Sequence, residues 1–306
     1  MSRAIALDAP GKVNLVLRVL HRRPDGYREL ETVFQMVSLA DRVELTLSEG
    51  PGAVTLSVDG PDLGPVESNL AWRAAEEFRL AAGLDAGVHI ALTKKIPAGA
   101  GLGGGSSDAA AVLRGLARLT GFDDPLRLHG IARSLGADVP FFLGPAPIAL
   151  GRGRGDELTP LQALPEADLV LALPRVHVST VDAYRSLPDR HGDGNAPDAS
   201  AHPGARPDEA FLELDWPTVV RVAENDFQPV VSPRVPAVRA SIEALSGQGA
   251  LLALLSGSGG ASFGVFEDRA ASVAAAEVLT DRHGWPFVPV TTLAALPDIE
   301  RLSPRG

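Results

Sequence analysis

Apolar and polar residues alternate through much of the first hundred positions, the period of half-buried strands. Residues 4–9 read as a short strand ending at Pro10-Gly11, and residues 12–20 as a second. A basic turn, His21-Arg22-Arg23-Pro24-Asp25-Gly26, leads into residues 28–35, which mix charge with β-branched and aromatic side chains. Residues 42–47 alternate cleanly, and residues 54–58 should pair with them across Pro51-Gly52. The period then changes. A helix is predicted from Glu67 to about Ala82, capped by Ser68 or Asn69, followed by a strand at 88–93 and helices at 107–119 and from Asp124 or Pro125 to Leu135. Further strands are expected at 148–150 and 168–173, with a helix or loop over 176–187. The chain then predicts a helix at 235–245, strands at 251–255 and 262–266 around a glycine turn, a helix at 269–283 and a strand at 286–292. Residues 189–208, rich in Gly, Pro, Asp and Ala, read as a mobile loop. No repeat period emerges.

The pattern is broken most sharply by Pro97-Ala98-Gly99-Ala100-Gly101-Leu102-Gly103-Gly104-Gly105-Ser106-Ser107-Asp108. So many glycines are costly in a helix or strand, yet a strand precedes them and an alanine-rich helix follows. A bare glycine backbone admits close approach to main-chain amides, and the next helix presents its unpaired N–H groups at the same place. That combination favours an anion, phosphate above all, over a simple turn. The Walker A pattern fails, because Gly105-Ser106 stands where Lys-Ser/Thr is required. Gly99, Gly101 and Gly104 formally match G-x-G-x-x-G, but Asp123 and Asp124 follow in a turn after the helix, not at the end of a second strand.

Composition narrows the function classes. The 306 residues, 45% hydrophobic, suffice for two domains. No apolar run has bilayer-spanning length and the start does not resemble a signal peptide, so a cytoplasmic protein with no membrane partner is expected. The absence of cysteine excludes disulfides and thiolate chemistry. A net charge of −10 argues against nucleic-acid binding, and the scattered histidines lack metal-ligand spacing.

Several single residues admit two readings. Lys12 is a solvated strand residue or a working cation; Asp138, in Ala137-Asp138-Val139-Pro140, is a helix cap or a carboxylate poised for proton transfer. Tyr27 either packs on its turn or offers a flat face to a ring. Lys94 and Lys95 keep an edge soluble or lie near phosphates. The segment Ser256-Gly257-Ser258-Gly259-Gly260-Ala261 is a tight hairpin or a second backbone wall of the same cleft.

Taken together, Pro10-Gly11-Lys12-Val13-Asn14-Leu15, the loop from Pro97 to Asp108 and Leu255-Ser256-Gly257-Ser258-Gly259-Gly260 resemble the GHMP small-molecule kinases, in order and spacing. Arg23-Pro24-Asp25-Gly26-Tyr27, Glu31-Thr32-Val33-Phe34-Gln35 and Gly136-Ala137-Asp138-Val139-Pro140 extend the likeness over nearly the whole chain. They resemble the branch acting on 4-diphosphocytidyl-2-C-methyl-D-erythritol in the non-mevalonate route to isoprenoids. The resemblance implies an α+β, two-domain fold. Residues 1–160 would form a ribosomal-protein-S5-domain-2-like half and 161–306 a ferredoxin-like half, with the site in the cleft between them. It also implies ATP and Mg2+ as cofactors, with metal ligands unspecified, and transfer of a phosphoryl group to the substrate's 2-hydroxyl.

By the same resemblance Lys12 and Asp138 form the catalytic pair. The loop Pro97, Ala98, Gly99, Ala100, Gly101, Leu102, Gly103, Gly104, Gly105, Ser106 and Ser107 wraps the ATP phosphates, and Asn69 contacts adenine. Asn14 orients the acceptor, Tyr27 and Tyr184 stack on its cytosine, and Thr180 lies beside that pocket. Arg28 stands where the family commonly has histidine, within the same base-reading segment. A GHMP kinase for another alcohol, a non-catalytic nucleotide-binding protein and an NAD-dependent dehydrogenase remain as alternatives, and oligomeric state stays open.

Overall fold

The structure, a computed structural model, describes residues 3–187 and 214–302. The expected loop at 189–208 lies outside the described residues.

Two long strands, β1 (Arg3–Arg22) and β2 (Arg28–Pro51), form the spine of the larger sheet. β1 does not stop at Pro10-Gly11, as the turn dipeptide led us to expect. A register shift at Pro10/Gly11 absorbs the irregularity and β1 continues with Lys12 opposite Met36. Proline is tolerated in a sheet at such a bulge, where no ladder hydrogen bond is demanded of it.

β3 (Val54–Asp59), α1 (Leu70–Ala82) and β4 (Ala86–Thr93) follow. The expected pairing of 54–58 with 42–47 is incorrect: β3 runs parallel to β4 on its far side, giving the order β12-β1-β2-β4-β3. The reason lies in the connection, because α1 carries the chain from β3 back to the start of β4, a crossover that only parallel neighbours need. At the edge of this unit Gly52 lies against Gly87, where a Cβ would stand 2.9 Å from the Gly87 Cα. β5 (Ile148–Arg152) extends the far half of β2 and pairs with β6 (Glu157–Pro160).

One face of this sheet is covered by α1, α2 (Gly104–Thr120), α3 (Pro125–Leu135) and the short α4 (Val139–Leu143). The Ala109–Ala111 run is buried, and Gly115 lets α2 settle onto Leu45, Ile5 and Leu7 without a side chain intervening. α2 begins at Gly104, three residues before the predicted start. Gly104 and Gly105 form its first turn, and Ile96 leaves no room for a side chain on Gly104, with only 2.9 Å between its Cγ2 and a Cβ there.

The second sheet contains β7 (Asp168–Ala172), β9 (Leu252–Leu255), β10 (Ser262–Phe266) and β11 (Phe287–Thr291), antiparallel throughout in the order β11-β7-β10-β9. α5 (Thr180–Ser186), α6 (Trp216–Val222), α7 (Gln228–Val231) and α8 (Pro236–Gly247) lie between β7 and β9, and α9 (Arg269–His283) between β10 and β11. With α8 and α9 as its main helices this is the βαββαβ sequence of a ferredoxin-like unit. Two short strands from the second half, β8 (Glu224–Asn225) and β12 (Ile299–Arg301), return to opposite parts of β1 and tie the halves together.

Candidate active site

The glycine loop leaves β4 and arches over the start of α2. Gly99, Gly101 and Gly103 all have positive φ, at 70°, 85° and 72°. Alternating left-handed glycines turn successive N–H groups inward, and α2 adds its first unpaired amides and positive dipole end. The cavity bounded by this backbone, about 360 Å³, is lined by Asn69, by every residue from Pro97 to Gly105 and by Ser106. Asn69 Oδ1 also caps α1 by accepting from Ala71 N at 2.9 Å. Ser107 does not line this cavity: its side chain is buried and its hydroxyl has no partner among the described residues.

The second glycine segment proves to be both hairpin and wall. β9 and β10 pair around it, while Ala261 N donates to Ala100 O at 2.9 Å and Ser256 Oγ to Gly101 O at 3.1 Å. Asn225, from the second half, holds the segment from below by donating Nδ2 to the carbonyls of Leu255 (2.7 Å) and Gly257 (2.8 Å). The sequence contains Asn225 within Asn225-Asp226-Phe227-Gln228, but no spacing signal assigns it this task.

Lys12 is not a solvated strand residue. It is 4% exposed, its ammonium donating to Asn14 Oδ1 at 2.7 Å and to Gly101 O at 2.9 Å, with the Phe34 ring 5.5 Å away. Asn14 in turn donates to Thr32 Oγ1, and Thr32 to the Val16 carbonyl, each at 2.7 Å. This chain of bonds fixes the amide orientation that faces Lys12.

Asp138, at the start of α4, makes no capping hydrogen bond with its side chain, so the cap reading fails. Its carboxylate lies 3.8 Å from Lys12 Nζ and is one-third exposed. Burial lowers the Lys12 pKa from its ordinary value, while the Asp138 charge acts in the opposite direction. A cation held in so dry a place keeps its field for whatever sits beside it.

Both residues line a second cavity of about 280 Å³, with Asn14, Thr180, Tyr184, Arg154 and Ser258. Tyr184 packs edge-on against Phe227 at 4.8 Å, and burial pushes its phenol up to about 12, with Asp138 adding to the effect and Arg28 opposing it. Thr180 and Ser258 share a hydrogen bond of 2.9 Å. Tyr27 is 56% exposed and does not line the cavity itself, but the guanidinium of Arg154, which does, sits over its ring at 5.2 Å. Arg154, invisible as a site residue in the glycine-rich turn Gly151-Arg152-Gly153-Arg154-Gly155, is oriented by Asp156 at 3.0 Å. Gly101 and Gly103 line both cavities, so the glycine loop is their common wall. A larger cavity, about 630 Å³, lies at the opposite end of α2 against Phe122 and Leu128 and contains none of these groups.

Comparison with known proteins agrees with this layout. The family description GHMP kinases N terminal domain matches residues 69–144, and GHMP kinases C terminal matches residues 209–283. A 4-diphosphocytidyl-2-C-methyl-D-erythritol kinase from Geobacter sp. (strain M21) is 42% identical over 293 residues, covering 95% of this chain and 100% of that protein. The chain belongs to the GHMP kinase family. Among solved structures, a 4-(cytidine 5'-diphospho)-2C-methyl-D-erythritol kinase superposes on this GHMP kinase with a TM-score of 0.73 at 40% identity, over 95% of this chain and 99% of the other. A homoserine kinase from Cytophaga hutchinsonii, at 21% identity and a TM-score of 0.72, covering 97% of both chains, shares the fold. No helix among the described residues is long and apolar enough to cross a membrane.

Proposed function

We propose that this chain transfers the γ-phosphoryl group of ATP to the 2-hydroxyl of 4-diphosphocytidyl-2-C-methyl-D-erythritol, releasing ADP and the 2-phosphate, in the cytoplasmic non-mevalonate supply of isoprenoid precursors. The observation that carries the reading is the Lys12–Asp138 pair, 3.8 Å apart, where two cavities meet across Gly101 and Gly103. Similarity of 42% over 95% of the chain to a protein of that name supports the choice of acceptor.

In this mechanism the loop from Pro97 to Ser106 receives the polyphosphate with its amides, and the region of Asn69 receives the adenine. Asp138 accepts or orients the proton of the attacking hydroxyl. Lys12 keeps Asp138 ionised and offsets charge on the transferring group, a task of positioned electrostatics more than covalent chemistry. Asn14 and Thr32 hold Lys12 on line. Tyr184, Tyr27 and Arg28 frame the cytosine, with Thr180 beside them. Among the described residues no cluster of three His, Cys, Asp or Glu side chains is placed to hold a metal ion, and Mg2+ would enter together with the polyphosphate. Bound so, it would neutralise phosphate charge. We further propose the unit boundary near residue 160, since all of the second sheet falls within 168–291.

A coupled ADP-release assay with the cytidyl alcohol, mevalonate, homoserine and galactose as acceptors tests the reading. Saturable turnover is expected with the cytidyl compound alone. Turnover with mevalonate and none with the cytidyl compound would reverse the assignment.

A further inference from the structure

At the base of the glycine loop lies a buried charged cluster that the phosphoryl-transfer scheme leaves unused. Asp41 of β2 is fully buried, and its Oδ1 accepts from the backbone N–H groups of Lys95 (2.5 Å) and Ile96 (2.8 Å), the last residues before the loop. Its Oδ2 accepts from Lys94 Nζ, and the same ammonium donates to Asp108 Oδ2 at 2.6 Å. Asp108 sits in the opening turns of α2, immediately beyond the loop. Lys94 is therefore not a solubilising edge residue: its ammonium is buried between two carboxylates, while Lys94 and Asp108 also border the 360 Å³ cavity of the loop.

The geometry has a mechanical consequence. The chain enters the loop from Ile96 and leaves it into α2 at Gly104, and Asp41 lies beside both feet: it accepts from the Ile96 amide, and its Oδ2 lies 3.3 Å from where a Cβ on Gly104 would be. Lys94 extends the tie from Asp41 to α2 through Asp108. A glycine-rich backbone has large conformational freedom and would lose it on wrapping a polyphosphate. Fixing both feet beforehand removes part of that loss. Buried ion pairs contribute little to stability when an apolar alternative exists, so the position of this one beneath the loop points to what it orders.

We propose that Asp41, Lys94 and Asp108 form a tie that pre-organises the loop for the nucleotide's polyphosphate, as positioning residues acting through the loop backbone. The inference rests on the kinase reading above and deepens it.

The test is calorimetric titration of the full chain with a nonhydrolysable ATP analogue in Mg2+, comparing Asp108→Ala with Asp108→Asn. Both remove the carboxylate charge, but asparagine can still accept from Lys94 and alanine cannot. The expected result is binding about tenfold weaker for the alanine variant than for the asparagine variant, with the asparagine variant within about threefold of wild type. KM for ATP should follow the same pattern, with kcat and the acceptor's KM changed less than about threefold. A purely structural role would lower the active fraction, and so kcat, with KM for ATP unmoved. Asp41→Asn, which turns an amide donor toward Lys94, gives an independent break in the tie and should weaken the analogue to a similar degree. Equal affinity of the alanine and asparagine variants, or an unchanged affinity for Asp41→Asn, overturns the tie. A wild-type chain that fails to bind the analogue counts against the kinase reading itself.

Discussion

Gly101 and Gly259 press their backbones together where the two halves meet. A Cβ on Gly259 would lie 2.5 Å from Ala100 O, and one on Gly101 would run into the Ser256 carbonyl oxygen. The glycine loop that lines both cavities is thus backed by a second glycine segment carried by the other sheet.

Gly101→Ala therefore combines a left-handed φ of 85° with a backbone clash. The expected cost is about 2–4 kcal/mol of unfolding free energy, measured by denaturant titration, with turnover lost even in the folded fraction.

Asp138→Asn removes the proposed proton acceptor without removing a helix cap. Turnover in the ADP-release assay should fall by about 10²–10⁴-fold while ATP affinity stays within a few-fold. Retention of more than a tenth of the wild-type rate would remove Asp138 from the catalytic pair.

Tyr184→Ala opens the acceptor cavity and removes the edge contact with Phe227. KM for the cytidyl acceptor should rise about tenfold or more, within the range by which base-aromatic stacking is weakened on truncation. KM for ATP should not change. Tyr184→Phe keeps the ring and is expected to behave as wild type; a Phe variant as poor as Ala would assign the recognition to the hydroxyl.

Asp108 carries a definite sign of pH dependence. Burial pushes its carboxyl from an ordinary 3.8 up to about 7, with Lys94 opposing the shift and Asp41 adding to it. Between those values the folded chain keeps a proton that the unfolded chain has released, so this group's contribution to stability falls as pH rises from about 4 to about 7. Below that window both states are protonated and the effect is absent. Thermal unfolding of Asp108→Asn should accordingly gain on wild type progressively across pH 4–7 and hold its advantage above it. A constant difference across the window would contradict the raised value.

Local pattern determined much of this protein. The strand and helix periods and the phosphate-type loop at Pro97–Asp108 were readable because each depends on residues near one another in the chain, whereas the ferredoxin-like half came only from the resemblance of whole motifs. Lys12 and Asp138 were different. Taken alone they read as a surface lysine and a cap, and only the resemblance of whole motifs paired them. Tertiary structure alone decided that β3 joins β4 in parallel, since alternation specifies a face and not a neighbour. It likewise decided that Lys94 pairs with Asp41 and Asp108, that Ser107 is buried and does not line the loop's cavity, that Asn225 holds the second glycine segment and that Arg154 lines the cavity of Lys12 and Asp138. The cavity brings together residues as distant in the chain as Lys12 and Ser258, and no short-range periodicity encodes such a meeting. Burial and charge compensation select it only once both halves have folded onto the same loop.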